Sequence, residues 1–447
     1  MRWPEVKLQP GRNFVLLLAL GSAVAAAEPV DALLEPIAPA PRELASWEDA
    51  VAEWSKQSTD LRINASEVVR AAARTRSAWS NLLPSISGSA LASFSLLPAP
   101  SGGETQLSAL FGAAPYQTLG LVAQLNVIDV RSWNAVAAAS DAERAAKLSV
   151  DDARRLLLLN LSQALLNVVT AERVAELNRS GLRDALARLH LTDRANAAGA
   201  STELDVGRLR QDVEAARAQV VTGDEALRQA RETLGLTLGV SEPVSVRPDF
   251  QLNGLAEQIR GTCRSVGALQ ERADQLAARA RVEVAHRAVL DADSQFLPSL
   301  AVRTNAQAYI FGAQGVFPVW NLQAVLTVPL WDGGNRYGVR RDAVAQERQA
   351  EARRLATERQ GTVDVARAQR AIDVAERSRG IAAASLEQAQ KTEALTRKAW
   401  DAGFGTSLEL VTAASALRAQ QLTLAIRDYD VLRARVVFLF ALANCSP

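Results

Sequence analysis

The sequence predicts a mainly helical, internally duplicated protein in which each half carries one pair of amphipathic β-strands. Two proline-free stretches, Trp133 to Ala198 and Val339 to Ala402, are rich in alanine, leucine, arginine and glutamate, as long helices are. After Pro84 and again after Pro298, apolar residues alternate with serine or other polar residues. A period of two is typical of strands with one apolar and one polar face.

The composition argues against a nucleic-acid partner. The 447 residues include 50 basic and 49 acidic ones, for a formal charge of +1. Along the helical stretches arginine alternates with glutamate and aspartate, as between Arg348 and Glu358. This pattern is typical of a solvated, ion-paired helix face rather than a basic stripe.

Residues 1–27 predict a secretory signal peptide. Basic residues up to Arg12 precede an apolar run from Phe14 to Leu20, and small residues ending at Ala27 permit cleavage there. The apolar run is shorter than the roughly 20 residues that a membrane-spanning helix needs. The residue directly after the cleavage site is Glu28 and not cysteine, which removes the simplest case for a lipid anchor. The proline-rich residues 28–46 predict an extended segment.

The first structural repeat is predicted over residues 47–238. Its first helix begins at the N-cap Ser46, and its last two helices are joined by a turn so short that they form an antiparallel hairpin. The predicted elements are a helix from Ser46 toward Leu83, a β-hairpin over 84–128, a long helix over 131–198 and a helix over 203–238.

The second repeat is predicted over residues 266–443, after a connecting segment, 239–265, that loses periodicity. Pro298 lies 214 residues after Pro84, and the two turn glycines described below are 204 residues apart, so the first strand loop carries the longer insertion. The predicted elements are a helix, a β-hairpin over 298–330, a long helix over 336–402, a helix over 406–443 and a C-terminal tail, 444–447.

The strands have the length and alternation of membrane β-strands, about 10 to 12 residues each. Four strands cannot close a barrel and open strand edges are not tolerated in lipid, so we expect subunits to share one barrel. A soluble, half-buried sheet is the alternative. Aromatic residues near the strand ends predict an interfacial girdle, formed by Phe94, Tyr116, Tyr309, Phe311, Phe317 and Trp320.

From about Ser46 to Ala443 the sequence resembles the TolC-type outer-membrane efflux protein family. The run Leu326–Gly334 is similar to the family's strand-to-helix signature. The run Gly199–Val206 resembles the family's turn of glycine, a few residues and then Leu-Asp-Val, and Gly403–Val411 is a degenerate second copy. Together, in order and in duplicate, these motifs are specific.

The resemblance implies a mainly α protein with a membrane β-barrel. It implies a homotrimer with a twelve-stranded barrel in the outer-membrane lipid of a Gram-negative cell and a twelve-helix α-barrel crossing the periplasm. Residues 239–265 and the C-terminal tail would join an equatorial belt. The implied function is passive conduction in a tripartite efflux or type I secretion system, beside a periplasmic adaptor and an inner-membrane transporter. The alternative is a periplasmic coiled-coil adaptor or structural protein.

The two helical turns are the predicted adaptor-docking site and periplasmic gate. By the resemblance, three copies of Glu409 would form an acidic ring at the closed mouth, and Asp205 would help to hold the closed state. The alternative role for Glu409 is to complement the dipole at the start of its helix. The docking residues are Gly199, Ala200, Ser201, Thr202, Gly403, Phe404, Gly405 and Thr406.

Three residues depart from the family pattern at this gate. Trp400 stands where the family often has an aromatic hydroxyl, Gly405 where some members have arginine, and Thr412 where a second acidic residue can occur. We therefore expect the closed state to depend on helix packing more than on a side-chain lock.

Other candidate sites are few. Cys263 and Cys445 would meet an oxidising space after export, where either a disulfide or two buried thiols fit the sequence. His190 and His286 are isolated, with no second ligand at metal spacing. We expect no catalytic residue, no metal and no cofactor.

Overall fold

The elements of the fold follow the duplicated plan. The computed structural model describes residues 31–93, 116–248, 250, 254–310 and 315–445. Short 3-10 turns lie at Ala32–Leu34 and Leu269–Glu271. In chain order the elements are β1 (Arg42–Leu44), α1 (Trp47–Gln57), α2 (Thr59–Ser80), β2 (Ser85–Ser93), β3 (Tyr116–Ile128), α3 (Val130–Ala197), α4 (Glu203–Leu238), β4 (Val244–Val246), α5 (Leu255–Thr262), β5 (Arg264–Ser265), α6 (Ala273–Ser294), β6 (Ser299–Ile310), β7 (Val316–Thr327), α7 (Asn335–Asp401), α8 (Ser407–Ala441) and β8 (Ala443–Asn444).

Two very long helices set the dimensions of the molecule. α3 has 68 residues and α7 has 67. At 1.5 Å per residue each is about 100 Å long, several times the length of a helix in an ordinary domain. Each ends in a tight turn and returns as a helix of 36 or 35 residues. The predicted fold of one chain is confirmed: it consists of two repeats, which together contain four long strands and two long helical hairpins.

The prediction of one continuous helix from Ser46 to Leu83 is wrong, because the chain breaks at Ser58. The Ser58 N–H closes α1 by donating to the Trp54 carbonyl at 2.9 Å, and its hydroxyl accepts from Leu61 N at 3.2 Å to begin α2. Gly239, at the end of α4, lies against this break: a Cβ there would stand 2.3 Å from the Gln57 carbonyl oxygen. The break makes room for another helix to end beside it.

The four long strands form one antiparallel sheet in the order β2-β3-β6-β7. The register separates two faces, because each strand alternates in phase with its neighbours. One row of paired residues on the apolar face is Gly88, Leu121, Ala306 and Trp320. One row on the polar face is Ser85, Gln124, Arg303 and Gln323.

The sheet is open and exposed in a single chain. β2 and β7 are its edges, and every residue of β7 is exposed. On the apolar face Ile86 is 75% exposed and Trp320 is 77% exposed. Phe94 and Phe311 of the predicted aromatic girdle lie outside the described residues, as does the predicted signal peptide. A large apolar surface is therefore left uncovered by this chain alone.

Among the described residues, none of the helices combines the length and the apolar character that crossing a bilayer requires.

The main hydrophobic core lies about midway along the long helix α3, where α1, α5 and the last turns of α8 pack against α3 and α4. Trp47, Trp54 and Phe440 are fully buried there. The predicted extended segment, 28–46, and connecting segment, 239–265, contribute to this core through short strands. β1 pairs in parallel with β4, and β5 pairs with β8. A disulfide joins Cys263 to Cys445 in this core, with an S–S distance of 2.02 Å. It ties the connecting segment to the end of the chain.

The duplication extends to individual contacts. Glu172 of α3 pairs with Arg231 of α4 at 3.0 Å, and 204 residues later Glu376 of α7 pairs with Arg435 of α8 at 2.8 Å. Arg231 also donates to the Ala38 carbonyl at 3.0 Å, so the N-terminal segment covers the first hairpin here. The two halves have therefore kept the same cross-hairpin contact while acquiring different coverings.

Candidate functional site

Both helical turns begin with the same backbone device. Gly199 has φ 75° and Gly403 has φ 79°, the left-handed conformation that favours glycine after a helix. Nothing lies within 4 Å of a Cβ at either position, so conformation and not space is what requires glycine. The next N–H groups, of Ala200 and Phe404, donate to carbonyls five residues earlier at 2.8 and 2.9 Å. These bonds stop α3 and α7 and reverse the chain.

Each turn then starts the returning helix with a capping box. The hydroxyl of Thr202 accepts from Asp205 N at 3.2 Å, and the Asp205 carboxylate accepts from Thr202 N at 3.1 Å. Thr406 and Glu409 repeat the arrangement at 3.3 and 2.9 Å. Hydrogen bonds to Glu409 hold the pKa of its carboxyl below the ordinary value. The largest effect comes from the Thr406 N–H and the second from the Thr406 hydroxyl. Glu409 thus stabilises the start of α8, and its place in an acidic ring stays a prediction.

A buried serine links the two turns. Ser407, at the start of α8, is fully buried and accepts a hydrogen bond from Arg208 of α4 at 3.1 Å. The Ser407 hydroxyl is also the largest cause that lowers the pKa of Asp205, followed by Thr202. Sequence reasoning missed this link, because the duplicate position of Ser407 is Glu203 and the duplication therefore gives no signal for it.

The three departures from the family pattern have local roles. The Trp400 carbonyl accepts from Gly403 N at 3.0 Å, as part of the turn. A Cβ at Gly405 would stand 2.9 Å from Trp400 N, so glycine allows the turn to fold under the last turn of α7. The Thr412 hydroxyl donates within its own helix, to the Leu408 and Glu409 carbonyls at 2.8 and 3.0 Å.

The ends of the hairpins expose apolar side chains. Phe404 is 90% exposed, and Leu204 and Leu408 are 62% and 52% exposed. The two leucines occupy the same position in the duplicated turns, one residue before Asp205 and Glu409. Their neighbours Val206 and Leu410 are buried at 1% and 3% exposure. The tip, which the turns at 199–202 and 403–406 form, therefore has a packed interior and an apolar outer end.

Above the tip a buried charge cluster joins the hairpins. Asp212 is the tenth residue of α4, so it lies about 14 Å from the start of that helix. It accepts from Arg188 of α3 at 3.1 Å and from Arg418 of α8. The three side chains are 3%, 8% and 12% exposed. Arg418 passes directly over Gly181, where a Cβ would stand 2.6 Å from its Cδ. Gly181, the interior glycine of the long helix, makes room for this arginine.

The two histidines lie on different helices, and neither belongs to the buried charge cluster. The His286 ring places Nδ1 2.7 Å from a Glu347 carboxylate oxygen, on the exposed side of α6 and α7. His190 is exposed on α3. Within the described part of the chain, no group of three or more histidine, cysteine or acidic residues is placed to hold a metal ion.

Comparison with known proteins gives a consistent result. The family description "Outer membrane efflux protein" matches residues 51–240 and 266–444, one block for each repeat. The probable efflux pump outer membrane protein TtgC of Pseudomonas putida is 24% identical over 291 residues, 62% of this chain and 57% of the relative. The chain thus spans a little over half the length of this curated relative.

Solved structures share the fold. CusC has a TM-score of 0.75 at 20% identity, covering 91% of this chain and 97% of the other. VceC from Vibrio cholerae has a TM-score of 0.73 at 18% identity, covering 89% and 95%. At these identities the likeness shows the fold, and the two matched blocks of sequence show the family. The chain belongs to the outer membrane efflux protein family.

Proposed function

We propose that this protein is the outer-membrane channel component of a tripartite efflux or type I secretion system. It conducts substrate passively from a periplasmic adaptor and an inner-membrane transporter to the exterior. The matched relative is described as a probable efflux pump outer membrane protein, which supports this proposal. The inner-membrane transporter supplies the energy for transport, and this protein acts as a passive channel without a catalytic role.

The four-stranded sheet is the observation that carries the proposal. It has one apolar face, one polar face and two open edges, β2 and β7. The two edges run antiparallel to each other, so β7 of one subunit can pair with β2 of the next in a closed antiparallel barrel. Three chains would contribute twelve strands, with the apolar face toward lipid and the polar face toward water. The helical hairpins would then form the periplasmic wall.

Adjacent residues of β7 test the orientation of the sheet. Leu322 lies on the apolar face and is 68% exposed, and Asn321 lies on the polar face. An arginine on a lipid-facing position costs about 2 to 4 kcal/mol near the bilayer midplane, whereas one facing the lumen costs little. We expect Leu322→Arg to reduce the outer-membrane trimer and Asn321→Arg to leave it intact. Equal tolerance of both substitutions would contradict the barrel.

Membrane fractionation distinguishes the channel from the alternative. A channel is recovered as a detergent-dependent trimer in the outer membrane and conducts ions in a planar bilayer. A periplasmic coiled-coil adaptor would be recovered as soluble periplasmic material without conductance, and that result would overturn the proposal.

The tip would carry the gate. In a trimer, three exposed Glu409 carboxylates would stand close to one axis, where an acidic ring binds cations and repels anions. Replacing Glu409 with alanine should raise conductance and weaken block by divalent cations. Thr412→Ala, one turn further along α8, serves as the control. If Glu409→Ala changes neither quantity, the carboxylate only begins the helix.

The exposed apolar end of the tip would receive the adaptor. Cysteines at Ala200 and Phe404 should crosslink to a periplasmic partner in cells, because both lie at the ends of the hairpins. A cysteine at the exposed Thr222, in the middle of α4, is the control. Crosslinking at Thr222 in place of the turns would move the docking surface to the side of the rods.

A further inference from the structure

We infer that Arg303 forms a positively charged ring inside the barrel and that this ring gives the exit of the channel a preference for anions. The substrates favoured there carry carboxylate or phosphate groups. The inference rests on the proposed trimeric channel and adds a specificity-determining residue to it.

Arg303 is the one charged residue in the described strands of the four-stranded sheet. The described residues of β2, β3, β6 and β7 include no aspartate, glutamate or lysine, and no second arginine. The other polar side chains of the sheet are serine, threonine, asparagine, glutamine and tyrosine. A guanidinium keeps its charge throughout the physiological pH range. The sheet therefore carries one permanent positive charge in each chain.

The register places this charge on the polar face. Arg303 pairs with Gln124 on one side and Gln323 on the other, and Ser85 completes the row. Arg303 is also the one exposed residue of β6, whose other positions are partly covered. In a barrel whose apolar face meets lipid, this row points into the water-filled interior.

The neighbours of Arg303 orient the charge without neutralising it. Its Nε and Nη2 donate to the Gln124 side-chain oxygen at 3.3 and 2.8 Å. An amide oxygen accepts these bonds but carries no net charge, so the guanidinium keeps its full field toward the lumen. This contrasts with the helices, where arginines such as Arg379 pair with an acidic residue.

The position along the strand places the ring inside the barrel, on the path by which substrate leaves. Arg303 is the fifth residue of β6, about 13 Å from the end that joins the helical rods. Three copies at one level would surround the lumen, and rings of arginine favour anions in other pores. The proposed acidic ring of Glu409 stands at the opposite end of the molecule. A cation would meet attraction at the tip and repulsion at the exit.

Ion selectivity of the purified trimer in a planar bilayer tests the inference. The probe is KCl in a tenfold gradient from about 10 to 100 mM, because low salt preserves fields over about 10 to 30 Å. The reversal potential gives the ratio of chloride to potassium permeability. One unit charge about 4 to 8 Å away changes the local concentration of a monovalent ion about twofold to fivefold in water, upward for chloride and downward for potassium. Arg303→Gln should therefore lower the ratio about fourfold or more.

Two further variants separate the effect of charge from other effects of the substitution. Arg303→Lys keeps the charge and should keep the wild-type ratio. Gln323→Glu adds a negative charge in the same row and should lower the ratio without removing Arg303. These variants also keep the test open if Arg303→Gln fails to assemble.

The outcomes separate this inference from the proposed function. If the variants conduct but the permeability ratio is unchanged, Arg303 sets no selectivity and the channel assignment stands. If the wild-type trimer itself gives no conductance, the proposed function is overturned, and the inference with it.

Discussion

The contact between Gly181 and Arg418 allows a sharp test of how the hairpins are held together. Alanine is a better helix former than glycine by about 0.8 to 1.0 kcal/mol, so Gly181→Ala would ordinarily stabilise an interior helical position. Here the added methyl group would stand 2.6 Å from Arg418 Cδ. The arginine is held at its far end by Asp212, so it cannot simply swing aside.

The expected change in stability follows from the interaction with Asp212 that Arg418 would lose. Moving Arg418 away from a carboxylate that is 3% exposed loses a hydrogen bond between charged groups, about 1.5 to 3 kcal/mol. After the gain in helix propensity, Gly181→Ala should destabilise the protein by about 1 to 2 kcal/mol. In an Arg418→Ala background the clash is gone, and the same substitution should stabilise by about 1 kcal/mol.

A double-mutant cycle measures the difference. The four proteins are purified in one detergent at one concentration, and their unfolding is followed by circular dichroism at 222 nm, since oligomer stability depends on concentration. The coupling energy should be about 2 to 3 kcal/mol. A Gly181→Ala effect of the same sign and size in both backgrounds would refute the claim that Gly181 exists to admit Arg418.

Three further predictions follow from the core and the turns. Replacing Cys263 and Cys445 with serine should cost up to about 5 kcal/mol, because the disulfide spans 182 residues, and a lower unfolding midpoint that a reducing agent no longer changes would show this. Gly239→Ala should destabilise by at least about 2 kcal/mol, because φ is 92° and the new Cβ would meet the chain at the α1–α2 break; unchanged stability would contradict that packing. The lowered pKa of Asp205 means that its ionised form is favoured in the folded state, so its contribution is present above the ordinary pKa of about 3.9 and is lost as pH falls through the folded value. The gap in unfolding midpoint between wild type and Asp205→Asn should therefore close as pH falls below the folded-state pKa of Asp205. Thr202→Ala, which removes the cap without a charge change, should keep its deficit there.

Much of the fold could be read from local patterns. The period-two alternation after Pro84 and Pro298 located the strands, and the absence of proline located α3 and α7. The turn glycines were recognisable because a left-handed residue is needed where each helix stops. These signals are local, since each depends on residues within a few positions of one another.

Contacts between distant residues could not be read in the same way. The break at Ser58 lies against Gly239, which follows the end of α4, and the Ser407 link depends on Arg208 of α4. Both features look ordinary in sequence. Cys263 and Cys445 were compatible with a disulfide or with separate thiols until their positions were known.

The sequence by itself determined the duplicated plan, the alternation of the strands and the two turns, because helix and strand periods are properties of neighbouring residues. Only the tertiary structure decided that the four strands share one register with a polar and an apolar face. It also decided that Asp212 joins Arg188 and Arg418 above the tip. The physical reason is that register and charge pairing depend on which distant residues meet, and a chain of this length allows many pairings that local patterns do not distinguish.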